Sequence, residues 1–556
     1  MPLTVQQLRE ALDECLDVEE HEVRELLDSD NRDLRVVASL AVARTKIRQA
    51  LFATQRLAKS HNYQDQASVT AVERLANLSD CDEPYIEMLK EIGIQAAAAG
   101  RLNAAMQYLQ IATTRGAISG QRKDKRSRPL MRYGHDREID AAIASLAKLF
   151  PPPSFADMPP IDPFRLAITV SAIQDEDGPT VVIMKRAEHF KRLGCDVSVV
   201  STGVSVTNSP SKLKRLADLH IPFFLAPDGD VKTKIDWLIA HFQEHPAHAI
   251  SCTTSLYDNA GKLAAVIGLA PVQSWENRSL EPYVGTFDLV LQAVRKEQEQ
   301  ITEWPGISKF YGQSAMMMEE IDAASPWPKA MLGVPDDAIA LGTFGRLEKC
   351  NTSEYLDAMS RILKSDERLW LVLAGRDGLG ALDSIQRRFQ REGVWNRVKY
   401  LGPRQDDGPS LVKSIDLYCD TYPWVGGQIL TDAMLGGRAI VAMKAANDPD
   451  LDPTGVSATT SIAESVLPDT VELARAGNID DYVRIALRYI GDAELRARDG
   501  AINYAKVKRD YDPFDKSRRY AEDLRAIYAR KMGITNDPGF PAIDTTYGTY
   551  STIQSM

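Results

Sequence analysis

One segment of the sequence, SIDLYCDTYPWVGGQILTDAMLGGRAIVAM, contains residues whose types and spacing suit a phosphate ligand. A predicted strand, IDLYCD, runs into a loop, and Gly426, Gly427 and Gln428 then open a helix that carries Asp432. Glycines at a helix N-terminus expose backbone N–H groups, and the helix dipole adds about half a positive charge there. Asp432, roughly one and a half turns further on, is placed to accept a hydrogen bond from a ribose hydroxyl. The alternative is a strand–turn–helix whose glycines serve only tight packing.

A second segment, LGTFGRLEKCNTSEYLDAM, supports the phosphate interpretation because it follows another predicted strand. Arg346 and Lys349 come just after the strand AIALGTFG, and ligands of open α/β sheets bind at the carboxyl ends of strands. Two fixed cations at that edge can neutralise a departing diphosphate, which is electrostatic work that a metal ion often performs. Together, the two segments predict a site for a nucleoside diphosphate.

Both segments belong to a region in which short apolar strands alternate with helices from Arg165 onwards. A first set of strands includes RLAITVSAI, CDVSVVST and AHAISC, and a second set includes AIALGTFG, LWLVLAG and SIDLYCD; residues 303–336, with prolines and aromatics, break the alternation between them. The pattern predicts an α/β protein with two tandem Rossmann-like domains that face a cleft. The predicted limits are 165–325 for the first domain, 326–531 for the second with its C-terminal helices, and 532–556 for a polar tail.

Residues 1–150 are predicted to form an all-helical domain, because apolar positions recur every three or four residues. The stretch EIGIQAAAAGRLNAAMQYLQIATTRG places Gly93 and Ala105 where a tetratricopeptide repeat has small residues, and the alternative is an ordinary helical hairpin. Either form offers a docking surface. Residues 151–164, PPPSFADMPPIDPF, cannot continue a helix and form a predicted linker.

Composition limits the classes of function. The chain has 556 residues and a net charge of −11, which argues against a general nucleic-acid partner. Its six cysteines are scattered, so we expect neither a disulfide framework nor a metal site. The acidic N-terminal segment is unlike a signal peptide, and no apolar run approaches the ~20 residues that span a bilayer. We therefore expect a cytoplasmic protein without an integral membrane segment.

The region from residue 165 to about 530 resembles the GT-B nucleotide-sugar glycosyltransferases, and it is most similar to their family 41. That family contains the O-GlcNAc transferases and the bacterial cytoplasmic N-glucosyltransferases. The stretch FGRLEKCN matches the family segment that ends in a diphosphate-binding lysine, which implies this role for Lys349, and Arg346 stands where glutamine is usual. In CDTYPWVGGQILTDAMLGGRAIV, Asp432 corresponds to the ribose-binding aspartate, whereas Gly427–Ile429 replace the family's His-Thr-Thr.

Two further stretches carry the resemblance. RVKYLGPRQDD matches the loop that meets the base, which implies contacts from Pro403 and Arg404. GLAPVQSWENRS resembles the strand that faces the acceptor, which puts Trp275, Glu276 and Asn277 near the cleft. The family implies an inverting, metal-independent transfer from a UDP-linked sugar, a co-substrate with no further cofactor, to a Ser, Thr or Asn side chain. The helical N-terminal domain would then hold the polypeptide acceptor.

The sequence departs from the family in the loop after the first predicted strand. There QDEDGPTVV puts Gly178 where the family has a histidine, and the acidic run Asp175–Asp177 precedes it. A carboxylate within about 3 Å of the acceptor can act as general base, so Asp177 is the candidate, with a solvated acidic turn as the alternative. Retaining family 4 enzymes carry two glutamates at positions that are Trp424 and Asp432 here, which favours the inverting reaction.

Two other functions stay open on the sequence. One is a GT-B glycosyltransferase whose acceptor is a glycan or a small molecule. The other is a non-catalytic interaction protein that has kept the fold, because the family histidine is absent. The intact Arg346, Lys349 and Asp432 favour an enzyme, since a scaffold needs no diphosphate site.

Overall fold

A computed structural model gives the fold of the described residues. These are 20–28, 32–64, 66–79, 83–119, 137–174, 178–203, 208–253, 258–277, 287–292, 307–310, 318–377, 380–404, 407–422, 428–444, 462–510 and 512–540. They form a layer of helices followed by two parallel sheets that are flanked by helices. Within these ranges no helix is both long enough and apolar enough to cross a membrane.

The N-terminal layer is helical, as the periodicity predicts. Its helices are α1 (Arg24–Leu27), α2 (Arg32–Ser60), α3 (Gln66–Ser79), α4 (Glu83–Ala98), α5 (Leu102–Ser119) and α6 (Arg137–Ala147). The hairpin of α4 and α5 is closely packed, because a Cβ added at Gly93 would lie 2.7 Å from Leu109 Cγ. The small residue is therefore what lets the two helices approach, as a tetratricopeptide-like hairpin requires.

The first sheet has seven strands, all parallel, in the order β3-β2-β1-β4-β5-β6-β7. Its strands are β1 (Arg165–Val170), β2 (Asp196–Ser201), β3 (Phe223–Leu225), β4 (Ala249–Thr253), β5 (Val272–Asn277), β6 (Leu289–Gln292) and β7 (Ile307–Phe310). The helices along these strands are α7 (Gly178–Arg192), α8 (Pro210–Asp218), α9 (Val231–Glu244) and α10 (Asn259–Ile267). The strand order changes direction between β1 and β4, which is the doubly wound arrangement.

The strand β7 lies inside residues 303–336, where the sequence analysis expected the alternation to stop. That expectation was wrong for Ile307–Phe310, which pairs in parallel with β6 at the end of the sheet. A strand of four residues at an edge has a neighbour on one side only, so it needs no long apolar run. A short edge strand next to prolines therefore gave no strand signal in the sequence.

The second sheet has five strands, all parallel, in the order β10-β9-β8-β11-β12. Its strands are β8 (Ile339–Phe344), β9 (Leu369–Ala374), β10 (Val398–Tyr400), β11 (Leu417–Cys419) and β12 (Ala439–Val441). The helices are α11 (Met318–Ala323), α12 (Ser353–Ser365), α13 (Ala381–Arg391), α14 (Gly408–Ser414), α15 (Gln428–Leu435), α16 (Ile462–Val466), α17 (Ile479–Gly491), α18 (Ala493–Asp510) and α19 (Pro513–Lys531). Two tandem Rossmann-like sheets behind a helical layer confirm the predicted fold class.

The helical layer packs on the first sheet's helices rather than standing apart. Asn103 Nδ2 on α5 donates to Asp230 Oδ2 at the start of α9, at 2.6 Å. Asn259 Nδ2 on α10 donates to the carbonyl oxygen of Met106, at 2.8 Å. Buried side chains of the helical layer and of this half of the first sheet form one continuous apolar cluster. The layer is thus anchored to the first sheet's domain.

The last helix, α19, returns to the first sheet. The Tyr520 hydroxyl donates to Ser251 Oγ at 2.8 Å and also hydrogen-bonds Ser274 Oγ. On the facing helix α7, His189 Nδ1 lies 3.0 Å from Ser517 Oγ. These buried polar contacts fix the C-terminal helix on the core of the first sheet, although the preceding helices belong to the second.

The helix α18 approaches the backbone before β12 very closely. A Cβ added at Gly500 would lie 2.2 Å from the carbonyl oxygen of Gly437. One turn on, Asn503 Nδ2 donates to the carbonyl oxygen of Arg438 at 3.0 Å. A glycine in the middle of this helix is therefore required by packing, despite its low helix propensity.

We expect Gly500→Ala to lower the free energy of unfolding by about 1–3 kcal/mol, the usual cost of overpacking a close contact. Gly491→Ala is the control, because nothing lies within 4 Å of a Cβ at that helical position. Alanine there is expected to be neutral or to stabilise by up to about 1 kcal/mol. Urea unfolding, monitored by circular dichroism, measures the free energy of unfolding of both variants. Equal changes in the two variants would contradict the close packing at Gly500.

Candidate functional site

The carboxyl end of β8 carries the first part of the site. The strand ends at Phe344, and Leu347–Lys349 then form a single 3-10 turn. Leu347 is fully buried and its N–H donates to the carbonyl oxygen of Arg376 at 3.0 Å. This anchor leaves Arg346 exposed and Lys349 half-buried at the strand edge, which brings the two predicted cations together.

The ammonium of Lys349 lies in a partly desolvated position. Burial lowers the pKa of Lys349 from its ordinary value, and the nearby positive charge of Arg346 lowers that pKa further. The negative charge of Asp420 acts in the opposite direction and raises it. An amine in such a place is a cation whose lost hydration an incoming anion can replace.

The carboxylate of Asp420 follows β11, the strand next to β8. The residue is 1% exposed, and its Oδ1 accepts a hydrogen bond from the Thr421 N–H at 3.0 Å. The Tyr482 hydroxyl donates to the Asp420 carbonyl oxygen at 2.7 Å. Asp420 was not among the predicted site residues. An acidic residue directly after a predicted strand of the same sheet was the available signal.

Three side chains join β8, α12 and the loop after β11. Thr343 Oγ1 donates to the Cys419 carbonyl oxygen at 2.7 Å. Thr352 Oγ1 donates to the Tyr422 carbonyl oxygen at 2.5 Å, and it also caps α12 by accepting from the Tyr355 N–H at 3.3 Å. The loops that carry Lys349 and Asp420 are therefore held to each other by hydrogen bonds.

The helix α15 stands at the same edge of the sheet. It begins at Gln428, and Asp432 on it is 3% exposed. Leu430 and Met434 are fully buried, which fixes this helix against the sheet. Asp432 therefore lies on the helix that follows β11, at the same edge of the second sheet as Arg346 and Lys349.

The predicted base contacts lie two strands from β8, after β10. Pro403 and Arg404 are exposed. Arg404 Nε donates to the Leu401 carbonyl oxygen at 2.9 Å, and its Nη1 lies 3.5 Å from Asp407 Oδ2. Its guanidinium carbon is 6.0 Å from the centre of the Trp327 ring. These contacts fold Arg404 over its own loop.

The predicted acceptor residues lie at the end of β5 in the first sheet. Trp275 is 3% exposed, and its ring stacks on Phe287 with centroids 5.7 Å apart. The backbones of Glu276 and Asn277 pair with β6, and their side chains lie outside the described part of the structure. Trp275 thus packs in the core, beneath the end of the strand.

Some predicted site residues fall outside the described residues. They are Asp177, Gly426, Gly427 and the side chain of Gln428. Among the described residues, no group of three or more His, Cys, Asp or Glu side chains is arranged to hold a metal ion. The structure therefore describes Asp420, Asp432, the loop after β10 and the turn that carries Arg346 and Lys349, which we call the cationic turn.

Solved structures with a similar fold include glycosyltransferases. A glycosyltransferase from Rickettsia africae ESF-5 has a TM-score of 0.52 at 10% identity, over 66% of this chain and 98% of that chain. Anabaena Alr3699/HepE, solved in complex with UDP, has a TM-score of 0.51 at 17% identity, over 65% and 100%. An O-GlcNAc transferase variant from Thermobaculum terrenum has a TM-score of 0.48 at 16% identity, over 89% and 99%. No protein-family model and no curated protein matches the sequence.

The chain has the GT-B fold. The first two structures share its pair of Rossmann-like domains over nearly their whole length. At such low identity the likeness concerns the fold, and the function must be argued from the site.

We expect Asp420→Asn to lower the pKa of Lys349 further, because it removes the negative charge that favours the ammonium. At a fixed alkaline pH the variant should then react faster at Lys349 with a small acylating reagent, which mass spectrometry of the digested protein measures. Since the folded-state pKa lies below the unfolded one, stability should rise with pH above the folded pKa, and this rise should begin at lower pH in the variant.

The control for Asp420→Asn is Asp416→Asn, at the opposite end of β11. Asp416 Oδ2 accepts from the Ala340 N–H at 2.7 Å and pairs with Lys329. The Asp416→Asn variant loses one negative charge, as Asp420→Asn does, and should leave the acylation rate of Lys349 unchanged. An unchanged rate in Asp420→Asn would show that its carboxylate does not act on the amine.

Proposed function

We propose that this protein is an inverting, metal-independent glycosyltransferase of the family 41 type that transfers a sugar from a UDP-linked donor to a polypeptide side chain. The observation that carries the proposal is the cationic turn of Arg346 and Lys349 at the carboxyl end of β8, next to Asp420. In a sheet of this topology, that edge is where a nucleotide binds. The UDP bound to the Anabaena neighbour supports the choice of nucleotide.

The donor would lie along the edge of the second sheet. Lys349 and Arg346 would bind its diphosphate, together with the backbone N–H groups of Gly426, Gly427 and Gln428 at the start of α15. A partly desolvated ammonium binds an anion more strongly than a fully hydrated one, because less of its water must be displaced. The two cations would thus supply the charge that a metal ion supplies elsewhere.

The nucleoside of the donor would contact two parts of the second domain. Asp432 would accept a hydrogen bond from a ribose hydroxyl. Pro403 and Arg404 would border the base, in the loop after β10. In that loop Arg404 contacts Leu401 and Asp407.

The reaction would be a single displacement at the anomeric carbon. The acceptor oxygen or nitrogen forms a bond to that carbon while the bond to the diphosphate oxygen breaks, and the electron pair leaves with UDP. Lys349 and Arg346 stabilise the charge that develops on the leaving phosphate. The acceptor proton passes to a carboxylate, for which we propose Asp177.

A polypeptide acceptor is supported by the way the helical layer is anchored. The hydrogen bonds from Asn103 to Asp230 and from Asn259 to Met106 fix that layer beside the first sheet. Its surface is therefore held near the end of β5, where Glu276 and Asn277 would face the acceptor. A cytoplasmic location is supported by the described cysteines, which are buried free thiols: Cys195, Cys252, Cys350 and Cys419.

The donor site is tested by Lys349→Gln. Saturating UDP should stabilise the wild-type protein, by about 2.7 kcal/mol at 100 times the dissociation constant. The variant should bind UDP about 10- to 100-fold more weakly, because it loses a charge-assisted contact. Thermal melting with UDP, GDP and dTDP measures this and identifies the nucleotide class.

The control for Lys349→Gln is Lys364→Gln on α12, where the amine is exposed and pairs with Glu392. It should bind UDP like the wild type. No melting shift with any nucleotide in the folded wild-type protein would overturn the enzyme proposal and favour an interaction protein. With a donor identified, transfer to proteins and to oligosaccharides separates the polypeptide acceptor from a glycan acceptor.

The proposed base is tested by Asp177→Asn. Turnover should fall by about 10²- to 10⁴-fold, the usual contribution of a general base, while the affinity for UDP stays unchanged. Glu176→Gln is the control and should retain turnover. If Asp177→Asn transfers sugar at the wild-type rate, Asp177 is not the base.

A further inference from the structure

A fully buried carboxylate lies in the first domain, and the proposed reaction does not use it. Asp258 precedes α10, the helix that follows β4, and its exposed fraction is 0%. The strand β4 pairs with β1, and the strand order of the first sheet changes direction between these two strands. Ligands of doubly wound sheets bind in the crevice at such a switch point. Asp258 is therefore a candidate for a role in that crevice.

Hydrogen bonds from three elements surround the Asp258 carboxylate. Its Oδ1 accepts from the Gly261 N–H, in the first turn of α10, at 2.6 Å. Its Oδ2 accepts from the hydroxyl of Thr202, which follows β2. The hydroxyl of Ser171, which follows β1, also hydrogen-bonds the carboxylate and favours its charged form. Asp258 thus joins the ends of β1 and β2 to the start of α10.

Two buried lysines complete this polar network. Burial raises the pKa of Asp258, and the positive charge of Lys262 on α10 lowers it. The ammonium of Lys234 on α9 donates to the carbonyl oxygens of Thr202 at 2.6 Å and Gly203 at 3.0 Å. Buried ionic networks are often no more stabilising than apolar side chains of similar volume. Stability alone therefore does not explain this one.

Ser171 is the partner of Asp258 that a ligand in the crevice can reach. It is half-buried, whereas Thr202 and Gly261 are buried. Its carbonyl oxygen accepts from the Ser201 hydroxyl at 3.1 Å, which holds its backbone at the end of β1. A hydroxyl that donates its proton to a carboxylate can still accept a hydrogen bond through its oxygen. Ser171 is therefore oriented to receive an N–H or O–H group.

We propose that Ser171 accepts a hydrogen bond from a backbone N–H of the polypeptide acceptor, and that Asp258 is a positioning residue that orients the Ser171 hydroxyl. The inference rests on the proposed function, which places the acceptor at the end of β5. The strand order β1-β4-β5 puts Ser171 two strands from that point, or about 10 Å. About three residues of extended polypeptide cover this distance.

The test uses a synthetic peptide that spans a site to which the wild type transfers sugar, mapped by mass spectrometry. Ser171→Ala should raise the KM for this peptide about 3- to 10-fold, the effect of one lost hydrogen bond, and leave the affinity for UDP unchanged. Replacing single peptide N–H groups by N-methyl groups should raise the KM similarly at one position. In Ser171→Ala, the N-methyl group at that position should have no further effect.

Asp258→Asn separates the orientation of the hydroxyl from a purely structural role. The asparagine amide would donate to Ser171 and turn the Ser171 proton towards the crevice, so the KM should rise at least as much as in Ser171→Ala. In the Ser171→Ala background the same substitution should leave the KM unchanged. An equal increase in both backgrounds would show that Asp258 acts on the fold and would overturn its positioning role.

The matched control is Ser211→Ala, which removes an exposed serine hydroxyl of the same domain and should retain the wild-type KM. A wild-type KM in Ser171→Ala would overturn this inference and leave the proposed function intact. The same holds if no single N-methyl group loses its effect in that variant. A wild-type protein that binds UDP but transfers sugar to no polypeptide would overturn the proposed acceptor and this inference with it.

Discussion

The chemistry of the second domain depends on one constraint: a lysine cation is held partly out of water at the junction of β8 and β11. Removing Lys349 from water disfavours its charged form, and Asp420 offsets part of this cost. The compensation is incomplete, so an anionic ligand that approaches the edge gains more from this amine than from a surface lysine. This is the property of the site on which the proposed binding of a diphosphate depends.

The backbone of the sheet keeps that cation in place. Leu347 anchors the turn from below, and Thr343 and Thr352 join it to the loop after β11. On the other side, Gly375 lets the loops after β8 and β9 touch at a distance that no side chain permits. Rigid strand ends, rather than flexible side chains, thus set the spacing of the charges, which is how a preorganised site stabilises a developing charge.

The parts of the protein that the sequence predicted are those with local signals. Alternating apolar strands and helices indicated two parallel sheets, and the cations Arg346 and Lys349 followed a recognisable strand. Asp420 was not found, because its place beside Lys349 depends on β8 and β11 being neighbours, and an acidic residue after a strand is only a weak signal by itself. Strand β7 was missed because four edge residues carry almost no periodicity. The predicted roles of all the site residues, at the nucleotide site as well as on the acceptor side, stay predictions.

The central claim is that the carboxyl edge of the second sheet binds the diphosphate of a nucleotide donor. A crystal structure of the protein grown with UDP tests it most directly. We expect the diphosphate at the ends of β8 and β11, with a phosphate oxygen within about 3 Å of Lys349 Nζ. UDP bound at the first sheet, or at the second sheet away from Lys349, would contradict it.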